Sequence, residues 1–264
     1  MIEDNVKASR SEPIIVAENL TMAFGDNVIQ RDLTFTINRG DVFIVMGASG
    51  CGKSTLMKNL IGLQRPAKGN VFYGDTSFWD IDDTEKQRVL RRIGVMYQGG
   101  ALWSSMTLAE NIMLIIQEYL EIDTDQALEL ASLKLALVGL AGFEQYYPSE
   151  ISGGMKKRVA IARAISLNPK YLFCDEPNSG LDPQTGIVID NLIKNITEEF
   201  NITTIVNTHD MNSVMEIGDN IALLHNGLLA WEGSNEEVLT SKNEVLQDFV
   251  FASPFLQKVK ELHT

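Results

Sequence analysis

Apolar and polar residues change their rhythm along this chain in a regular order. Residues 28–37, VIQRDLTFTI, alternate: Leu33, Phe35 and Ile37 fall on one side and Asp32, Thr34 and Thr36 on the other. That period of two predicts a half-buried β-strand. The preceding stretch IIVAENLTMAF (14–24) is also predicted to be extended, as is GNVFYG (69–74). DVFIVM (41–46) is an unbroken apolar run, as in a strand covered on both faces. YLFCD (171–175) and TTIVNT (203–208) have the same character. IALLHNGLLAWEG (221–233) reads as a hairpin turning at Asn226-Gly227, a pair that accepts the positive φ angles of a tight turn.

Helical spacing replaces alternation in TEKQRVLRRI (84–93) and across residues 107–140, where apolar positions recur every three to four residues until Tyr147-Pro148 breaks the pattern. A helix is predicted to start near Lys53 and another after the ISGG turn. Residues 235–262 are predicted helical, interrupted at Pro254, with an apolar set (Val245, Leu246, Phe249, Val250, Phe251, Phe255) that packs on its own domain or on a partner copy. No internal repeat or low-complexity linker is present. The order of elements is α/β, with a helix-rich insert between two β-rich halves.

Composition narrows this picture. A length of 264 residues fits one large α/β domain with an inserted subdomain better than two independent domains. With 45% hydrophobic and 22% charged residues the chain can fill a core, so global disorder is excluded. A net charge of -13 disfavours nucleic acid as a main partner, because phosphate backbones would be repelled. A single nucleotide remains open, since a few local cations and backbone N–H groups suffice for it. Cys51 and Cys174 lack metal-ligand spacing and form no disulfide framework, which fits a reducing cytosol. The opening MIEDNVKASRSE lacks the apolar core of a secretory signal. No run approaches the roughly 18–20 apolar residues of a spanning helix. The chain is therefore expected to be soluble by itself, so that another subunit must cross the bilayer in any membrane process it serves.

The chemistry concentrates in a few segments. GASGCGKS (Gly47–Ser54) fits G-x-x-x-x-G-K-[S/T] and stands between an apolar strand and a helix, the context this phosphate loop requires. Glycines let the loop curl so that its N–H groups face the phosphates. Lys53 supplies a cation for the outer phosphates, Ser54 a hydroxyl for Mg²⁺, and the helix its positive end. YLFCDE ends a buried strand on two acids: Asp175 is expected to hold Mg²⁺ and Glu176 to act as general base on the attacking water. His209 follows TTIVNT, within expected reach of the γ-phosphate. Gln98, after IGVMYQ, is expected near Mg²⁺ and the water, although an ordinary loop amide is the plainer reading of that residue alone. Cys51 is read as a small loop residue rather than a redox sensor.

ISGGMKKRVAIARAI (Ile151–Ile165) resembles the signature segment of ABC ATPases, roughly L-S-G-G-Q. The other motifs of that family follow in order over residues 14–240. Phe24 matches the aromatic that stacks on adenine. Gly47, Ala48, Ser49, Gly50, Cys51, Gly52, Lys53, Ser54 and Thr55 match Walker A, Gln98 the Q-loop, Asp175 and Glu176 Walker B with its catalytic Glu, Ser179–Asp182 the D-loop, and His209 the switch histidine.

The resemblance implies a P-loop NTPase of RecA-like core, with an antiparallel β subdomain and a helical signature subdomain inserted at about 99–165. It leaves 241–264 as a C-terminal helical extension and 1–13 as a flexible N-terminus. It implies ATP and Mg²⁺ as ligands, with Ser54, Gln98 and Asp175 at the metal and Lys53, Gln98, Glu176 and His209 in hydrolysis. It also implies a head-to-tail dimer in which Ser152, Gly153 and Gly154 of one copy, with Asp182 nearby, complete the nucleotide site of the other.

Two departures stand out: Phe24 replaces the usual Tyr, and Met155 the usual Gln. QGGALWSSMTLAEN (98–111) and YPSEISGGMKKR (147–158) are similar to the Mce- and Mla-associated lipid-transport branch. That likeness implies a bacterial ATPase on the cytoplasmic face of the inner membrane, working with a permease and an MCE-domain subunit, and no nucleic acid. Trp103, just after the Q-loop, is then either an anchor for the permease or a packing contact. Competing readings are an ABC ATPase for a solute, ion or drug, a soluble ABC ATPase of DNA repair or translation, and a plain P-loop kinase. The kinase would have no use for ISGGM or SGLD.

Overall fold

The alternating and unbroken runs become strands at the expected places in the computed structural model, which describes residues 12–252. Of the flexible N-terminus expected over residues 1–13, residues 1–11 lie outside the described residues, as do the break at Pro254 and the packing of Phe255, while Pro13 opens a strand. In chain order the elements are β1 (Pro13–Phe24), β2 (Asn27–Asn38), β3 (Val42–Met46), α1 (Lys53–Leu60), β4 (Lys68–Tyr73), β5 (Thr76–Ser77), α2 (Asp83–Leu90) and β6 (Ile93–Met96). Then come α3 (Leu108–Tyr119), α4 (Thr124–Leu137), a 3₁₀ turn (Pro148–Glu150), α5 (Gly153–Ala164), β7 (Tyr171–Asp175) and α6 (Pro183–Glu199). The chain closes with β8 (Thr203–Thr208), α7 (Met211–Ile217), β9 (Asn220–His225), β10 (Leu228–Ser234), α8 (Asn235–Val238) and α9 (Glu244–Val250). They fall into two units, one built from residues before 82 together with those after 206, the other from 82–206.

In the first unit an antiparallel sheet has the order β2-β1-β4-β5. Leu33, Phe35 and Ile37 of β2 are buried and stand opposite Leu20, Ala17 and Ile15 of β1. Phe35 stacks on Phe43 of β3, with ring centroids 5.5 Å apart. All five residues of β3 are buried, and it runs parallel to β9. The β9–β10 hairpin turns at Asn226 (φ 50°) and Gly227 (φ 76°), as the sequence predicts. The long C-terminal helix expected from 235 is instead two short ones, α8 and α9. Asn243 interrupts it by starting a new helix: its Oδ1 accepts from Leu246 N at 3.0 Å and its Nδ2 donates to Ala230 O at 3.0 Å.

In the second unit β6 and β7 pair in parallel, with β8 beside β7. The expected helical stretch 84–93 stops at Leu90, and Ile93 opens β6. The apolar stretch 107–140 divides into α3 and α4 because each helix has its own capping box. Thr107 and Glu110 close one reciprocally (2.7 and 3.2 Å), and Asp123 and Gln126 close the other. Leu108, Ile112 and Ile116 of α3 and Ala127, Ala131 and Leu135 of α4 are buried. Small residues on α4 let the two helices approach closely. Among the described residues no helix is long and apolar enough to cross a membrane.

Candidate functional site

In the first unit, β3 leads through the glycine-rich loop into α1. Gly52, the residue capping α1, has φ 101°, a conformation that L side chains rarely adopt. A Cβ there would also stand 2.7 Å from Gln30 Nε2. Lys53 is only 6% exposed, and its ammonium donates to Gly47 O at 2.8 Å and Ala48 O at 3.3 Å. The cation is thus folded back over the loop, while Ser54, next on the helix, is exposed. A concave loop, a cation and a helix N-terminus together make a site for a multiply charged anion.

A cavity of about 410 Å³ opens on this loop, lined by residues 48–51, by Val28 and Ile29 of β2, and by residues 224–227. The sequence marks β2 and the hairpin turn as elements but gives neither a place beside the phosphate loop. The turn lies directly on β2, where a Cβ at Gly227 would meet Ile29 O at 2.6 Å. Arg31 N donates to Gly227 O at 2.9 Å and fixes that approach. Phe24 ends β1 and is 55% exposed, but it is not among the residues lining this cavity. His209 is exposed just after β8 and does not line it either.

The second unit holds Gln98, Ser152–Gly154, Asp175, Glu176 and Asp182. Asp175 is the last residue of β7, and Glu176 follows it with φ 48°, an uncommon backbone conformation for a residue with a side chain. Ser152 caps α5, its Oγ accepting from Met155 N at 3.2 Å, and Ser152 and Gly153 are exposed. Gly154 is buried, and a Cβ on it would stand 2.5 Å from Thr185 Cγ2. Thr185 is bound through its backbone N–H (3.0 Å) and its hydroxyl (2.5 Å) to Asp182, the cap of α6. Those bonds hold the Asp182 carboxyl below the usual carboxylate range. The signature turn and the SGLD segment are thereby packed together.

Gln98 and Glu176 are joined by a residue that motif reading passed over. Lys157, on α5, donates to the carbonyl oxygens of both and to Ser179 Oγ. Burial pulls its ammonium below the usual lysine range, against the opposing influence of the Glu176 and Asp175 carboxylates. Arg163, on the same helix, donates to Gly100 O at 2.8 Å and Ala101 O at 2.6 Å. Trp103 projects into solvent (57% exposed), while its backbone is tied at both ends to buried Asn111.

A loop suited to a multiply charged anion, in a chain that also exposes Ser152 and Gly153 at a helix start, is the arrangement of an ATP-binding cassette. Residues 30–179 match the ABC transporter family, and the chain belongs to that family. The "Intermembrane phospholipid transport system ATP-binding protein MlaF" of Haemophilus influenzae is 33% identical over 261 residues, covering 96% of this chain and 99% of that one. The "Probable ribonucleotide transport ATP-binding protein mkl" of Mycobacterium tuberculosis is 38% identical over 236 residues. That match covers 89% of this chain but 66% of the relative, so the chain spans less than two thirds of that relative's length. Among solved structures, the dimeric post-hydrolysis state of the cassette MJ0796 bound to ADP and Pi superposes with a TM-score of 0.76 at 30% identity, covering 84% of this chain and 99% of that one. The fold is thus that of an ABC ATPase cassette, as the sequence implied.

Proposed function

We propose that this chain binds and hydrolyses ATP to drive phospholipid movement between membranes. The observation that carries this reading is the end-to-end match to a phospholipid-transport ATP-binding protein, 96% of one chain against 99% of the other. The segments 98–111 and 147–158 support it, since they follow the same branch.

In this reading the loop N–H groups and Lys53 hold the β- and γ-phosphates, and Phe24 stacks on the adenine. Ser54, Gln98 and Asp175 offer a hydroxyl, an amide oxygen and a carboxylate, the hard oxygen donors that suit Mg²⁺. Mg²⁺, when bound, neutralises charge on the phosphates. Glu176 takes a proton from the attacking water, and His209 steadies the γ-phosphate. Ser152–Gly154 of a second copy, with Asp182 beside it, complete the site. ATP therefore joins the copies and its hydrolysis releases them, a two-state element able to move a membrane partner. The dimeric state of the MJ0796 cassette supports such pairing.

The same reading gives the chain an integral membrane permease and an MCE-domain subunit as partners, at the cytoplasmic face of a bacterial inner membrane. Exposed Trp103 suits the permease contact, as does the apolar groove formed by Tyr119, Leu120, Leu130, Leu133 and Phe200. A different cargo is the second reading, favoured by the ribonucleotide named for the mycobacterial relative. A mild-detergent pull-down from native membranes, with mass spectrometry of proteins and lipids, separates the two. A permease, an MCE-domain protein and enriched phospholipid are expected; a soluble-solute binding protein without enriched lipid would discard the lipid cargo.

A further inference from the structure

The signature helix holds backbone segments that lie far from it in sequence. Lys157 sits about one turn beyond Gly153 on α5, is 7% exposed, and has three hydrogens to donate. They meet three acceptors: the Gln98 carbonyl, the Glu176 carbonyl at 3.3 Å and Ser179 Oγ at 3.2 Å. Two of the segments so held have unusual backbone. Glu176 has φ 48°, and just after Gln98 come Gly100 (φ 73°) and Ala101 (φ 48°), whose carbonyls Arg163 grips. Such conformations in residues with side chains persist only where the surroundings hold them.

We infer that Lys157 is a positioning residue for hydrolysis, which keeps the Gln98 turn, Glu176 and Ser179 in register with the signature helix. The inference rests on the roles proposed above for Glu176 and Gln98. One cation bonded to three segments makes them respond together when Ser152–Gly154 engage nucleotide. A neutral apolar side chain would leave three acceptors without their donor and free Glu176 to relax its φ. The Glu176 carboxylate would then be misplaced while the phosphate loop, in the other unit, kept its own geometry. The loss should therefore fall on turnover and not on ATP binding.

The test is steady-state phosphate release by the full chain across ATP concentrations, for the parent, Lys157→Met, Lys157→Arg and Glu176→Gln, with thermal melts of each. Lys157→Met is expected to lose about tenfold or more in kcat with KM within about twofold, and Lys157→Arg, which keeps charge and donors, to recover most of it. Turnover near parental in Lys157→Met beside an inactive Glu176→Gln overturns this inference alone. A kcat loss matched by a rise in KM, or one that Lys157→Arg leaves unrelieved, marks a packing role and also overturns it. Near-parental turnover in Glu176→Gln removes the base assignment, and this inference with it.

Discussion

The side-chain amide of Gln30 donates to the carbonyl of Cys51 at 3.2 Å, so β2 is tied directly to the phosphate loop. Gln30 is fully buried, and its amide occupies the space that a side chain at Gly52 would need. Gly52→Ala should therefore cost about 1–3 kcal/mol, from the φ of 101° and from displacement of Gln30. Thermal melts should show the lower stability, and titration with a fluorescent ATP analogue should show weakened binding. Unchanged values for both would mean that the loop does not need this conformation.

Lys53 donates to the loop carbonyls of Gly47 and Ala48, and bound phosphates are expected to take over those hydrogens. Lys53→Ala should weaken ATP binding by about 1.5–3 kcal/mol, roughly ten- to a hundredfold, the scale of a hydrogen bond to a charged group. Calorimetric titration measures this directly. Affinity equal to the parent's would sink the phosphate-loop assignment.

Glu176→Gln keeps the shape of the side chain but removes its basicity. The variant should bind ATP normally, accumulate as an ATP-bound dimer on size exclusion, and hydrolyse about 10²–10⁴ times more slowly. Dimer without turnover is the informative pairing, because it separates assembly from chemistry.

Asn111, fully buried, accepts from Trp103 N at 2.7 Å and donates to Trp103 O, Met106 O and Thr107 O at 3.1, 3.2 and 2.8 Å. It holds residues 103–107 against α3. Asn111→Ala should lower stability by about 2–3 kcal/mol, since it leaves buried backbone groups unpaired. Chemical denaturation is the check, with proteolysis near residues 101–107 as a second readout.

The two cysteines should differ sharply in reactivity. Burial, with the nearby Asp175 and Asp190 carboxylates, pushes the Cys174 thiol up to about 12. Below that pH it stays protonated and inert. Cys51 is half-exposed in the phosphate loop. At pH 8 a maleimide should add once per native chain, at Cys51, and ATP should slow the reaction by covering the loop. Intact-mass analysis counts the additions, and two at native pH would contradict the burial of Cys174.

Much of the fold was legible because short-range rules decided it. The alternation of Leu33, Phe35 and Ile37 set the buried face of β2, and the apolar run at 42–46 set a strand buried throughout. Asn226-Gly227 took the left-handed pair of φ angles that its turn demanded. Where local chemistry was misjudged, a cap was responsible. Asn243 restarted a helix that apolar spacing alone would have continued, because a side-chain oxygen on Leu246 N outweighs propensity at that point.

The sequence by itself determined which segments the proposed chemistry is assigned to. Gly47–Ser54, Asp175-Glu176 and Ile151–Gly154 are recognisable because phosphate and metal chemistry demand particular side chains at fixed spacing. Only the tertiary structure decided how those segments are held. Gln30 reaches Cys51 across 21 residues, and Lys157 reaches Gln98 across 59. The acceptors in both cases are main-chain carbonyls. Every residue has one, so the sequence carries no mark of which will be used, and only folding selects it.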